Sequence, residues 1–254
     1  MKLREEQQKD RISGMSKTQK KNKVKAVKRN MTLNGCKQVI PKNEKWKFVN
    51  LNPTAPTMRG LIKVHKEGTP IRPIVNWKNS PGYKLAQLLT KLIMSHTLLP
   101  YMYNVKNTTQ LMKDLTEIPH YMKFASFAVN NMYSNIPTSE LTTILYEMCK
   151  KNDVDEKTTK DIMAIAQTNL NLNYFQFKDT TYIQNEGLAM GAPTSSILSE
   201  VYLQHLENTT IPQLLEKHSV KGYFRHVDDI LLAYTDKKRQ HIKPTKRIQQ
   251  PAPS

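Results

Sequence analysis

Residues 223–234, "YFRHVDDILLAY", constrain the fold more than any other stretch of the chain. Two adjacent carboxylates, Asp228 and Asp229, stand between two apolar runs. "ILLAY" reads as a buried strand and "YFR" leads into a turn, so the pattern predicts a β-hairpin with both acids at its tip. Carboxylates that close repel one another unless a cation or a proton intervenes. A hard divalent cation such as Mg²⁺ is the usual partner, because it takes carboxylate and phosphate oxygens. A solvated Asp-Asp turn has the same spelling and needs no ligand, and spacing alone favours that plainer reading.

The surrounding segments alternate between strand and helix signals. "FASFAVNNMYSNIP" is an apolar strand, Phe124 to Val129, running into a polar turn. Upstream, Pro and Gly punctuate two short apolar runs, Gly60 to Val64 and Ile71 to Trp77. The "KEGTP" turn between them predicts a hairpin whose flanks carry Lys63, His65, Lys66 and Arg72. Leu85, Leu88, Leu89, Leu92 and Ile93 mark one face of a helix. Leu141, Ile144, Leu145, Met148 and Cys149 repeat that spacing over residues 138–150, with Thr138 or Ser139 as its cap. A third helix is expected through Lys157 to Leu170, then a short hairpin in "YFQFKDTTYIQ". "PTSSILSEVYLQHLE" is helical, with Ile197, Leu198, Val201, Tyr202 and His205 on one side. Just before it, "NEGLAMGAPTSS" sets Gly187 and Gly191 four apart and Pro193 at the helix entry. Glycines there allow close backbone approach to a ligand, Pro193 suits a first helical turn, and a helix N-terminus suits a phosphate. A structural strand-to-helix turn reads the same way. No internal repeat is visible.

Lys and Arg number 39 against 21 Asp and Glu, a formal net charge of +18 over 254 residues. Such an excess points to a polyanionic partner, with nucleic acid ahead of a membrane surface. Much of it lies in residues 1–45, a basic arm with sparse, aperiodic apolar residues and no expected core, and in the basic, Pro-containing tail 237–254. The arm reads equally as a phosphate-binding or nuclear-import segment and as a solvated leader. No apolar run is long enough to cross a bilayer, and the basic N-terminus lacks a signal-peptide core. The expectation is a nuclear or cytoplasmic protein, not a secreted one. Cys36 and Cys149 offer neither a disulfide framework nor metal-ligand spacing.

The order of these segments is more specific than any one of them. "RGLIKVHKEGTPIRPIVNWKNSPGYKLAQLL", "FASFAVNNMYSNIP", "YFQF…YIQNEGLAMGAPTSSILSEVYLQHLE" and "FRHVDDILLAY" resemble, in order and at sensible gaps, the conserved blocks of reverse transcriptases, and most closely those of Penelope-like retroelements. The resemblance covers about residues 50 to 236. It implies an α+β fold, the fingers and palm of a right-hand polymerase, with an antiparallel palm sheet backed by helices. Residues 46–110 would be fingers-like and 111–236 palm-like. It implies that Asp228, with Asp229 beside it, binds catalytic Mg²⁺. Arg72 would contact the triphosphate of the incoming nucleotide, with Lys63 a weaker candidate for that task. Tyr133 would lie beneath the sugar and select against a 2′-hydroxyl, and Gly191 would line the template and nucleotide pocket. The partners implied are an RNA template, a DNA primer and dNTPs, with no membrane and no protein partner indicated.

The departures matter as much as the matches. The strand that in the family reads "SFDV" reads "SFAV" here, so Ala128 replaces the first metal-bridging aspartate. In two-metal transfer the ions stand about 3.5–4 Å apart, clamped by carboxylates from both strands. Losing one at several kcal/mol lowers the rate about a thousandfold or more. No Asp or Glu lies between Glu117 and Glu140, and Asn130 and Asn131 are neutral. His226 stands where the family has tyrosine, and Ser195-Ser196 where it has a second Ser-Pro. The chain stops soon after the hairpin, so the thumb and the GIY-YIG nuclease of many relatives are expected to be missing, as in a truncated, degenerate copy. Two functions follow as expectations: an RNA-directed DNA polymerase domain, its activity in doubt at Ala128, and a non-catalytic nucleic-acid-binding relic or co-opted protein.

Overall fold

The structure is a computed structural model that describes residues 12–15, 40, 45–48, 50, 52–64, 68–99 and 101–235. Most of the basic arm, the tail 237–254, His65, Lys66 and Cys36 therefore lie outside the described residues. The chain divides into two compact units, each built from two separate segments. One takes Met1–Leu99 and Tyr133–Tyr202; the other takes Pro100–Met132 and Leu203–Ser254. The segments 46–110 and 111–236 each contribute to both units.

The first unit holds a five-stranded sheet and most of the helices. In chain order it contains β1 (Ile12–Met15), α1 (Lys45–Phe48), β2 (Thr57–Ile62), β3 (Ile71–Asn76) and α2 (Tyr83–His96). After the second unit's first segment come α5 (Thr138–Lys151), α6 (Glu156–Asn171), β5 (Tyr174–Phe177), β6 (Thr180–Gln184) and α7 (Ser195–Thr209), which belongs to this unit up to Tyr202 and to the second from Leu203 on. The strand order is β1-β6-β5-β2-β3. Both hairpins expected from the sequence form: β2 pairs antiparallel with β3 from Thr57↔Asn76 to Ile62↔Ile71, and β5 with β6 from Tyr174↔Ile183 to Phe177↔Thr180. β1, paired with β6, had no sequence signal, because the basic segment around it shows no apolar alternation.

The helical core follows the predicted stripes. Leu85, Leu89 and Ile93 of α2 pack with Leu141, Ile144, Leu145 and Cys149 of α5, Ile162, Ile165 and Ala166 of α6, and Ile197, Leu198 and Val201 of α7. Burial pushes the Cys149 thiol pKa up, as expected of a small core residue. Two local expectations are corrected. The cap of α5 is Pro137, whose carbonyl accepts from Leu141 N–H at 3.0 Å; neither Thr138 nor Ser139 caps it. Proline's fixed φ sets the entry, and a position ahead of the first turn needs no N–H of its own. Pro193 lies in a turn ahead of α7 rather than within its first turn, since the helix opens at Ser195.

The second unit is a three-stranded antiparallel sheet, β4-β8-β7, formed by β4 (Lys123–Ala128), β7 (Val220–His226) and β8 (Asp229–Tyr234). Two further helices precede these strands, α3 (Thr108–Thr116) ahead of β4 and α8 (Ile211–Lys217) ahead of β7. A short helix, α4 (Met132–Asn135), carries the chain into the first unit. "ILLAY" forms the central strand, but only its Ala233 is fully buried. An apolar run identifies a strand without saying how completely its faces are covered, and this sheet has only three strands. Residues 103–105 extend it beyond β7: Arg225 N–H donates to the Tyr103 carbonyl at 2.8 Å, and Val105 N–H to the Arg225 carbonyl at 2.7 Å.

Candidate active site

The first unit gathers Tyr133, Gly187, Gly191 and strand β3 around one loop. Residues 185–194 connect β6 to α7, and backbone atoms hold the loop on both sides. Leu188 N–H donates to the Tyr133 carbonyl at 2.7 Å, and Val75 N–H of β3 donates to the Met190 carbonyl at 2.8 Å. Asn173 Nδ2 donates to the Gly187 carbonyl at 2.9 Å, and Ser195 Oγ to the Ala189 carbonyl at 2.6 Å. Both glycines are required where they stand. Gly187 has φ +79° and a Cβ there would strike the Ser134 backbone; Gly191 has φ +108° and a Cβ would strike the Val75 carbonyl. Only glycine adopts such angles without penalty and leaves room for that approach.

Arg72 lies on the same strand as Val75, across from Leu61 of β2, and is exposed. Lys63 follows β2 directly, its N–H donating to the Pro70 carbonyl at 3.0 Å, and is half-buried. The apolar neighbours Leu61, Ile62, Val64 and Ile71 are exposed as well, so this end of the hairpin presents cations and aliphatic groups together to solvent. The structure thus ties Gly191 to the strand of Arg72 and ties Gly187 and Leu188 to the turn of Tyr133, all within one unit.

The second unit carries the acids. Val227 and Asp228 form the two-residue connection between β7 and β8, and Asp229 opens β8. Val129 N–H, just past β4, donates to the Asp228 carbonyl at 2.7 Å. In the ladder Asp229 faces Ala128 on one side and His226 on the other, so these three residues form a row across the sheet. Asp228 is half-buried and Asp229 exposed. The His226 ring is held by a 2.9 Å bond between Nδ1 and the Val105 carbonyl.

A metal pair does not fit these residues. The two carboxylates supply hard oxygen donors, but the position across the ladder from Asp229 holds a methyl group. Among the described residues no group of three or more His, Cys, Asp or Glu side chains is placed to hold a metal ion. Reading the sequence also missed a buried ion pair behind the hairpin. Arg225 is fully buried, its Nε 2.5 Å from Glu207 Oε1 and its Nη2 3.1 Å from Oε2, and Nη1 donates to the Val227 carbonyl at 3.3 Å. Tyr223 packs edge-on to Tyr103 with ring centroids 5.2 Å apart, and burial, then the nearby Glu207, raises its phenol pKa. The sequence signal was slight: an arginine within an apolar strand and a glutamate at the end of a helix, 18 positions apart.

No family model and no curated protein sequence matches the chain. Solved structures do. Apo telomerase from Candida tropicalis, truncated from its C-terminal domain, superposes with a TM-score of 0.50 at 13% identity, over 74% of this chain and 45% of that one. Telomerase from Candida tropicalis in complex with the TWJ fragment of telomeric RNA gives 0.52 at 12%, over 77% and 39%. The fold is reverse transcriptase-like. The chain spans less than half the length of these telomerases. At such identity the reverse transcriptase-like likeness is one of fold. Among the described residues no helix is long and apolar enough to cross a membrane.

Proposed function

We propose that this chain is a reverse transcriptase domain of retroelement descent, of the Penelope-like kind, that binds template and primer but has lost nucleotidyl transfer at Ala128. The single observation that carries the reading is Ala128 across the ladder from Asp229 in a reverse transcriptase-like fold. In this reading the hairpin with Arg72 and Lys63 is the fingers element that meets the triphosphate, and the loop of Gly191 with Tyr133 frames the nucleotide. The sheet that presents Asp228 and Asp229 is the palm. An RNA template and DNA primer are the nucleic acids, in the nucleus or cytoplasm. The net charge of +18 supports a polyanionic partner, and one of the telomerase neighbours was solved with RNA. The donor set is incomplete, so no metal-dependent step is assigned to these residues.

Primer extension tests the reading. With an RNA template, a DNA primer, dNTPs and Mg²⁺ or Mn²⁺, the protein should bind without extending, and robust extension overturns the assigned loss. Binding should weaken steeply between about 50 and 200 mM salt, as phosphate neutralisation requires. An affinity insensitive to salt counts against the nucleic-acid reading itself.

A further inference from the structure

The turn that carries Asp228 is built from the wrong residue. Two-residue hairpin connections favour Gly, Asn or Asp, because they require positive φ. Here the first position is Val227, at φ +57°. A β-branched side chain is the least suited to that region. Burial does not compensate, because Val227 is 43% exposed. What holds the residue is therefore in its backbone, and its carbonyl accepts from Arg225 Nη1 at 3.3 Å. That guanidinium is in turn gripped at two atoms by Glu207, with side-chain exposures of 0% and 4%. Arg225's own backbone is pinned by Tyr103 and Val105 on the outer edge of β7. Both ends of the arginine are fixed, leaving its remaining nitrogen aimed at the turn.

We propose that Arg225, anchored by Glu207, is a positioning residue for Asp228: it holds the Val227 carbonyl and so keeps the hairpin tip in its left-handed turn. Arg225 does not itself touch nucleotide or nucleic acid. A pair kept only for burial would be replaceable by apolar residues at little cost, as buried ion pairs often are. A positioning pair would not be, because an apolar pair leaves the Val227 carbonyl without its donor. What Asp228 does once positioned rests on the polymerase reading; the geometry of the turn does not.

Amide hydrogen exchange tests this directly, because Val129 N–H reports on the Asp228 carbonyl while Phe127 N–H reports on the ladder below it. With Glu207→Met and Arg225→Leu together, exchange at Val129 should accelerate at least tenfold relative to Phe127. Adding Val227→Asn, which tolerates positive φ, should return Val129 to within about threefold of the parent. If the paired replacement does not fold, Arg225→Lys serves in its place. It keeps the charge beside Glu207 but has no second nitrogen for Val227, and it should show the same selective acceleration. An unchanged Val129-to-Phe127 ratio overturns the proposal, and so does acceleration that Val227→Asn fails to reverse. Neither readout depends on primer extension, so this inference and the polymerase reading fail separately.

Discussion

The two units hold their candidate site segments by opposite means. In the first, the loop of Gly187 and Gly191 is held where backbone meets backbone with no room for a Cβ, and the Asn173 and Ser195 side chains bond its carbonyls. In the second, the acidic turn is fixed by the presence of a charge pair, Arg225 with Glu207, deep in the unit. The first arrangement should fail when an atom is added and the second when one is removed. Small side chains and buried charges are thus two solutions to one requirement, keeping irregular backbone still where function needs it.

The sharpest way to break this contrast is Glu207→Ala. It strands the Arg225 guanidinium in the interior and should cost about 3–5 kcal/mol of stability by chemical denaturation, whereas a loss near zero would place the second unit with the first. Next is Gly187→Ala, expected to cost about 1–3 kcal/mol through positive φ and the Ser134 backbone; a neutral result would show that the loop is not tightly held. Third, the first unit should tolerate removal of atoms. The Tyr174 hydroxyl is buried, has no partner among the described residues, and burial pushes its pKa up to about 12. The folded state then keeps a proton that the unfolded chain releases near pH 10, so stability falls as pH rises from there to about 12. Tyr174→Phe should therefore gain about 1 kcal/mol at neutral pH and flatten that alkaline decline. The smallest effect is expected from Ala128→Asp. A second carboxylate across from Asp229 should lower stability by about 0.2–1 kcal/mol, and added Mg²⁺ or Mn²⁺ should restore it; a rise in stability without metal would contradict the like-charge account.

What was legible in the sequence tracks what is buried and local. The stripes of α2 and α5 were readable because each buries a periodic face, the β2–β3 hairpin because Gly and Pro mark its turn, and the β5–β6 hairpin because aromatic and β-branched residues flank Lys178 and Asp179. Helices α3 and α8 were not, since neither has a fully buried residue and so neither writes an apolar period. Asn107 does cap α3, accepting from Gln110 N–H at 2.9 Å, but a cap without a stripe is a weak signal. The loop around Gly187 and Gly191 was visible as a motif. The reason for each glycine became visible only with Ser134 and Val75 beside it. Arg225 and Glu207 were illegible for a further reason: charged side chains are presumed exposed, and nothing along the chain announces that two of them neutralise each other in the interior.

The exposed methyl of Ala128 has a consequence for how such a chain changes over time. The position contributes nothing to the core, so packing does not select for what stands there. An aspartate would even meet Asp229 as a like charge, so stability alone leans toward alanine. Where no carboxylate is required at this position, substitution runs toward the better-folded protein, and exchanging one side chain is all that the strand itself would need to regain an acid.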